Sequence, residues 1–195
     1  MSACTVALVL LLDASASILP PEWQLQTQGH AAAFEDIAVH RAIARGEGVA
    51  VTALSFSDNT REMVAWRILR DQADAAIFAA ALREAPRGFP AGTNLGGALL
   101  VAMDRLDAAP CAAEQQVIDL ATDGEANAQR AREARARAEE RGVRINAIGV
   151  GSPRAGAWLR EHAVTSGGFA MEAPDWPSFA VAIRRKVTLE LAGSP

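Results

Sequence analysis

Residues 6–12, VALVLLL, are apolar without a break, and the run stops at an aspartate, Asp13. Strands covered on both faces read as continuous Val and Leu rather than as an alternation, so this run predicts a central strand buried between layers of helices. It is far short of the roughly 20 apolar residues that span a membrane. Ala14, Ser15 and Ala16 imitate a signal-peptide cleavage site, but no basic segment precedes the run and Asp13 interrupts the junction. The strand explains the segment better.

Around that strand, apolar runs and helical patterns alternate. Further strands are expected near residues 49–56, 63–69, 116–122, 143–150 and 169–172, and helices over about 21–44, 71–83, 94–106, 127–141, 155–165 and 175–189. Strands separated by helices form right-handed crossovers and a parallel sheet. The exception is 63–69, which follows the turn-forming Ser57, Asp58 and Asn59 and is expected as an antiparallel edge strand. The predicted fold is α/β: a doubly wound, Rossmann-like three-layer sandwich, with a mostly parallel central sheet, one antiparallel edge strand and helices on both faces. With 195 residues, half of them hydrophobic, a single domain over 1–195 has enough material for its core.

A formal net charge of -4 creates no field that would hold nucleic acid or an anionic membrane, and no segment is suited to membrane insertion. The one arginine-rich stretch, 130–144, is interleaved with Glu133, Glu139 and Glu140 and reads as a solvated helix face.

Chemistry-bearing residues concentrate in three fragments: DASAS at 13–17, GTN at 92–94 and TDG at 122–124. Together they offer the carboxylates of Asp13 and Asp123 and the hydroxyls of Ser15, Ser17 and Thr93. Such an all-oxygen set suits Mg2+, with Mn2+ or Ca2+ as alternatives, and the absence of His and Cys from the fragments argues against zinc. Asp13 and Asp123 each end a parallel strand, where ligands of such sheets collect. Thr93 follows a helix and would fall on the opposite face, except that the hairpin returns the chain and lets the next helix climb. All three fragments then converge on one rim.

Other readings of these residues are weaker. A phosphoaspartyl enzyme of the haloacid dehalogenase type would need an aspartate where Ser15 stands. Gly149, Gly151 and Gly156 have the wrong spacing for a dinucleotide loop. A serine nucleophile needs a base, and His30, His40 and His162 fall in helical stretches away from the rim. Asp119 lies inside the apolar VIDLAT strand, where Arg144, Asn146 or a helix N-terminus is the expected partner.

The set Asp13, Ser15, Ser17, Thr93 and Asp123 resembles the metal-ion-dependent adhesion site of the von Willebrand factor A (vWA) family: DxSxS, a distant Thr, and an Asp within TDG. The resemblance extends over the chain, including the hairpin, the LSFSD segment at 54–58 and the terminal helix. It implies that Ser15 and Ser17 bind the ion directly, Thr93 joins when a ligand is engaged, and Asp13 and Asp123 act largely through water. It further implies a non-enzymatic module capturing an Asp or Glu of a partner protein, with a terminal helix that shifts to alter affinity. Asn94, Glu125, Asn127 and the 86–90 loop are candidates for the partner-binding rim, each equally readable as a cap or turn residue. The alternative within the family is an intracellular accessory subunit that presents a substrate to a MoxR-type ATPase or metal-insertion machine.

Cys4 and Cys111 precede the first strand and the 116–122 strand, which are neighbours in the usual 3-2-1-4-5-6 order. A disulfide there is one reading; two unrelated buried thiols are the other. Paired cysteines at these places resemble a bacterial exported subgroup of the family. Export to the periplasm or beyond would need a leader outside this sequence, since none is recognisable in it; a cytoplasmic location is the alternative.

Overall fold

The computed structural model describes residues 2–192; residues 1 and 193–195, the ends of the expected 1–195 domain, lie outside the described residues. At its centre is a six-stranded sheet in the order β3-β2-β1-β4-β5-β6. The strands are β1 (Ser2–Asp13), β2 (Val49–Phe56), β3 (Thr60–Leu69), β4 (Cys111–Thr122), β5 (Arg144–Val150) and β6 (Ala170–Ala173). Every neighbouring pair is parallel except β2 with β3. The helices are α1 (Pro20–Phe34), α2 (Ile37–Ala44), α3 (Gln72–Glu84), α4 (Leu95–Asp107), α5 (Ala128–Glu140), α6 (Pro153–His162) and α7 (Trp176–Leu191). This is the expected doubly wound α/β architecture with one antiparallel edge strand.

The apolar run explains the layering. Val6, Leu8, Leu10 and Leu12 face one way, against Trp23 and Phe34 of α1, Phe78 of α3 and Phe179 of α7. Ala7, Val9 and Leu11 face the other, against Leu99 and Met103 of α4 and Leu159 of α6. Burying one such leucine stabilises by about 1.5–3 kcal/mol, so a charge placed in β1 would disrupt one layer directly and the sheet beneath both. Helix starts are fixed by short polar side chains: Asp36, Asp71, Asn94, Asn127, Ser152 and Asp175 each accept a backbone N–H of the first turn.

Three expectations need correction. The single helix over 21–44 is two helices, because Asp36 accepts the Ala38 N–H at 2.8 Å and starts α2 after a break at Glu35. β1 and β4 begin earlier than their apolar cores, pairing Ser2 with Cys111 and Cys4 with Ala113. The polar Glu114, Gln115 and Gln116 conceal this, since the lower end of β4 is only partly covered. Cys4 and Cys111 therefore sit inside the strands rather than ahead of them, and they are bonded, with Cα atoms 5.9 Å apart. The reading as two separate thiols falls. Among the described residues no helix is long and apolar enough to cross a membrane.

Candidate metal centre

β1 and β4 deliver Asp13 and the Thr122–Asp123 pair to the same end of the sheet, because the strands are parallel and Leu12 stands opposite Ala121. Asp13 is fully buried. Its Oδ1 accepts the Ser15 N–H at 2.7 Å, which folds the DASAS segment back over the strand end, and its Oδ2 accepts the Thr122 hydroxyl at 2.5 Å. Ser15 Oγ and Ser17 Oγ are 3.0 Å apart, and Ser17 donates to Asp123 Oδ1 at 2.9 Å. Four of the five expected ligands thus form one connected group.

The fifth, Thr93, reaches the rim on the loop between α3 and α4. The Ala16 N–H donates to the Ala91 carbonyl at 2.8 Å, and the Asn94 N–H to the Ser57 carbonyl at 2.8 Å. Arg87 donates to the carbonyls of Ala14 and Ser15 at 3.2 and 2.7 Å, pinning the same loop from beneath. The loop packs so closely on the β2–β3 turn that a Cβ at Gly92 would run into the Asp58 carboxylate. Thr93 is half-buried and lines a cavity of about 300 Å³ with Asp58, Asn94 and Asn127, and among the described residues the side-chain hydrogen bonds of Asp13 and Asp123 go to Ser15, Thr122 and Ser17 rather than to it.

The three rim candidates divide. Asn94 accepts the Gly97 N–H and Asn127 the Arg130 N–H, so both are helix caps, though both also line the Thr93 cavity. Glu125 is exposed on the loop after Asp123. On the other flank a groove of about 560 Å³ is lined by Asp123, Glu22, Leu25 and Trp176.

Three residues that hold the site had not been singled out. Thr122 bridges Asp13 and the Gly124 N–H. Gln26 of α1 donates to the Asp13 carbonyl at 2.9 Å, and Arg87 fixes the backbone of the serine loop. Gln26 had a visible signal, since it shares the buried helical spacing of Trp23, His30 and Phe34. Arg87, inside an irregular proline- and glycine-bearing loop, had none. The histidines lie elsewhere: the His30 and His40 rings pair with the carbonyls of Gln26 and Phe34, and the His162 ring with Arg132.

The electrostatics fit a cation. Burial pushes the carboxyls of both Asp13 and Asp123 above their usual range, against the hydrogen bonds that favour ionisation. Among the described residues neither is in an ion pair; both take only neutral donors. Adjacent ligands of an octahedral ion with bonds of 2.0–2.1 Å lie about 2.9 Å apart, which is close to the Ser15–Ser17 spacing of 3.0 Å. Hydroxyl and carboxylate oxygens are the donors a hard divalent ion takes.

A family model described as "Protein of unknown function (DUF1194)" matches residues 3–195. No curated relative matches the chain. Among solved structures, proximal thread matrix protein 1 from the mussel byssus superposes with a TM-score of 0.74 at 19% identity, over 97% of this chain and 46% of that one. The same mussel protein has been solved with zinc in its MIDAS motif, at a TM-score of 0.71 and 20% identity over 96% of this chain and 46% of that one. A von Willebrand factor type A protein from Catenulispora acidiphila gives 0.66 at 18% identity, over 96% of this chain and 42% of that one. BatB from Bacteroides thetaiotaomicron gives 0.64 at 19% identity, over 97% of this chain and 100% of that one. The chain spans less than half the length of the mussel and Catenulispora proteins. At these identities the likeness shows the fold, which is that of vWA domains.

Proposed function

We propose that this chain, which belongs to the DUF1194 family, is a single vWA domain and a non-enzymatic module that binds a protein partner through a divalent cation. Asp13, Ser15, Ser17, Thr93 and Asp123 would hold the ion, Mg2+ first and Mn2+ or Ca2+ as alternatives. Bound there, it supplies an electrophilic centre for one further oxygen ligand, an Asp or Glu carboxylate of the partner. The protein's own residues set the terms. Asp13 and Asp123 would balance the charge, while the neutral hydroxyls of Ser15 and Ser17 would touch the ion without quenching it. Thr122, Gln26 and Arg87 keep the loops in register.

The observation that carries this reading is the connected Ser15–Ser17–Asp123 chain beside a buried Asp13 that has no cationic partner among the described residues. Two exposed apolar side chains support a protein rather than a small ligand: Leu19 on the loop after the serines is 57% exposed and Phe89 on the Thr93 loop is 76% exposed. The mussel thread protein with metal at its MIDAS motif, and the pilus tip protein Mfa5 of Porphyromonas gingivalis, carry the same fold. The Cys4–Cys111 bridge favours an oxidising compartment, periplasmic or extracellular, and weighs against the intracellular accessory-subunit reading.

The test is capture from native extract on immobilised protein, with Mg2+ or with EDTA. Partner retained in Mg2+ and released by EDTA is expected, with loss of capture in folded Asp13→Ala and Thr93→Ala. Equal capture by either variant in Mg2+ would overturn the reading.

A further inference from the structure

Between the sheet and α7 lies a second polar cluster that the metal centre does not use. Lys186 and Glu190 stand one turn apart on α7, facing Asp119 of β4, with Asn146 of β5 and His30 of α1 closing the sides. Lys186 Nζ is 2.6 Å from Asp119 Oδ1 and 2.7 Å from Glu190 Oε1. Asn146, the cross-strand neighbour of Asp119, donates to Glu190 Oε1 at 3.0 Å and accepts the Phe169 N–H at 3.1 Å. Asp119, Lys186, Asn146 and His30 are 0% exposed and Glu190 is 1% exposed. The partner of Asp119 is therefore Lys186, not Arg144, Asn146 or a helix N-terminus as expected. Asn146 joins through Glu190.

The charges do not balance as written. One ammonium faces two carboxyl groups, and if both were ionised a net negative charge would be sealed in an interior without solvent, among the most costly arrangements a fold can contain. His30 is the other titratable group facing the cluster. Its Nδ1 is 2.8 Å from the Gln26 carbonyl and so carries the hydrogen of a neutral ring, its Nε2 has no hydrogen-bond partner, and burial lowers its pKa against the smaller pull of Asp119. Burial, then the charge of Asp119, raises Glu190 well above the glutamate range. Burial is the largest influence on Asp119 too and opposes its ionisation, but Lys186 and the smaller contributions of His30 and Glu190 together outweigh it, so the net direction is down. Asp119 Oδ2 and Glu190 Oε2 have no hydrogen-bond partner, and the two carboxyls meet at one ammonium, with oxygens 2.6 and 2.7 Å from Lys186 Nζ.

We propose that Asp119 and Glu190 form a buried proton-binding site: a carboxylic acid–carboxylate pair that holds one proton at neutral pH, is balanced by Lys186, and lets α7 dock on the sheet without net charge. The proton resides on Glu190 and points at Asp119. It satisfies both orphaned oxygens at once. Because Glu190 is raised in the folded chain, its stabilising contribution is complete below the ordinary glutamate range and is lost as pH rises towards its folded pKa.

Urea unfolding of the parent and of Glu190→Gln, followed from pH 5 to pH 9, tests this, since the amide presents a permanent N–H to Asp119. The ratio of the parent's unfolding constant to the variant's should rise about tenfold per pH unit, the signature of one proton. Parallel profiles overturn the proposal. Should Glu190→Gln fail to fold, carbon-13 spectra of carboxyl-labelled parent at pH 7 decide independently. One glutamate still in the protonated position supports the site; all glutamates ionised, or an imidazolium signal for His30, overturns it.

Discussion

Asp119 and Asp123 lie four residues apart at the end of β4, and each belongs to a pair of carboxyl groups, yet the two pairs are built on opposite principles. Asp119 and Glu190 enclose a lysine supplied by the chain itself, and all three are buried. Asp123 and Asp13 are surrounded by hydroxyls and backbone N–H groups and, among the described residues, have no cationic side chain between them. A carboxylate pair with an internal cation is finished when the chain folds. On the proposed function, a pair lined with neutral oxygens is finished by an ion from solution.

Experiments can break that contrast. The largest effect should come from the fastening shared by both strands: replacing Cys4 and Cys111 together with Ser should cost about 4–5 kcal/mol in urea unfolding by the chain-entropy model, with Mn2+ affinity unchanged, because the bridge sits at the far end of β1 and β4. Lys186→Met should cost about 3–5 kcal/mol at pH 7 by stranding two buried carboxyls, with much of the loss recovered in acid, where both can be protonated. Mn2+ at a hundredfold excess over its Kd should stabilise the parent by about 2.7 kcal/mol and leave Asp13→Ala unmoved in thermal unfolding.

Acidification should weaken Mn2+ binding, as calorimetry can follow. Asp13 and Asp123 are raised by burial, so the metal-free fold tolerates their protons, whereas the ion needs both ionised and must displace them. The smallest effect should be Asp13→Asn in EDTA, within about 1 kcal/mol of the parent, since it removes a costly buried charge and keeps an acceptor for Ser15. A large loss there would mean that Asp13 is structural in the way Asp119 is, and the contrast would collapse.

Much of this was legible in the sequence, for identifiable reasons. An uninterrupted apolar run has few explanations besides a strand covered on both faces, and the Ser57–Asn59 turn left little choice for the hairpin. Once strand order followed, the convergence of DASAS, the Thr93 loop and TDG was a matter of counting crossovers. The buried cluster was not legible in the same way. Lys186 follows Arg184 and Arg185, and a triplet of cations within a helix reads as a wet face; only the packing of α7 on β4 shows that the third of them points inward. The break at Asp36 was concealed because residues on either side of it are equally good helix formers.

β1 is hydrogen-bonded to a neighbour on each side for most of its length and has no solvent-exposed residue from Val6 to Asp13. The aspartate at its tip is therefore mounted on a strand held from both sides and covered on both faces. Whatever docks at this end of the sheet meets a fixed anchor, so little freedom is surrendered at the point of attachment. On the proposed function, discrimination among guests then falls to the surrounding loops, which can diversify while the anchor stays put.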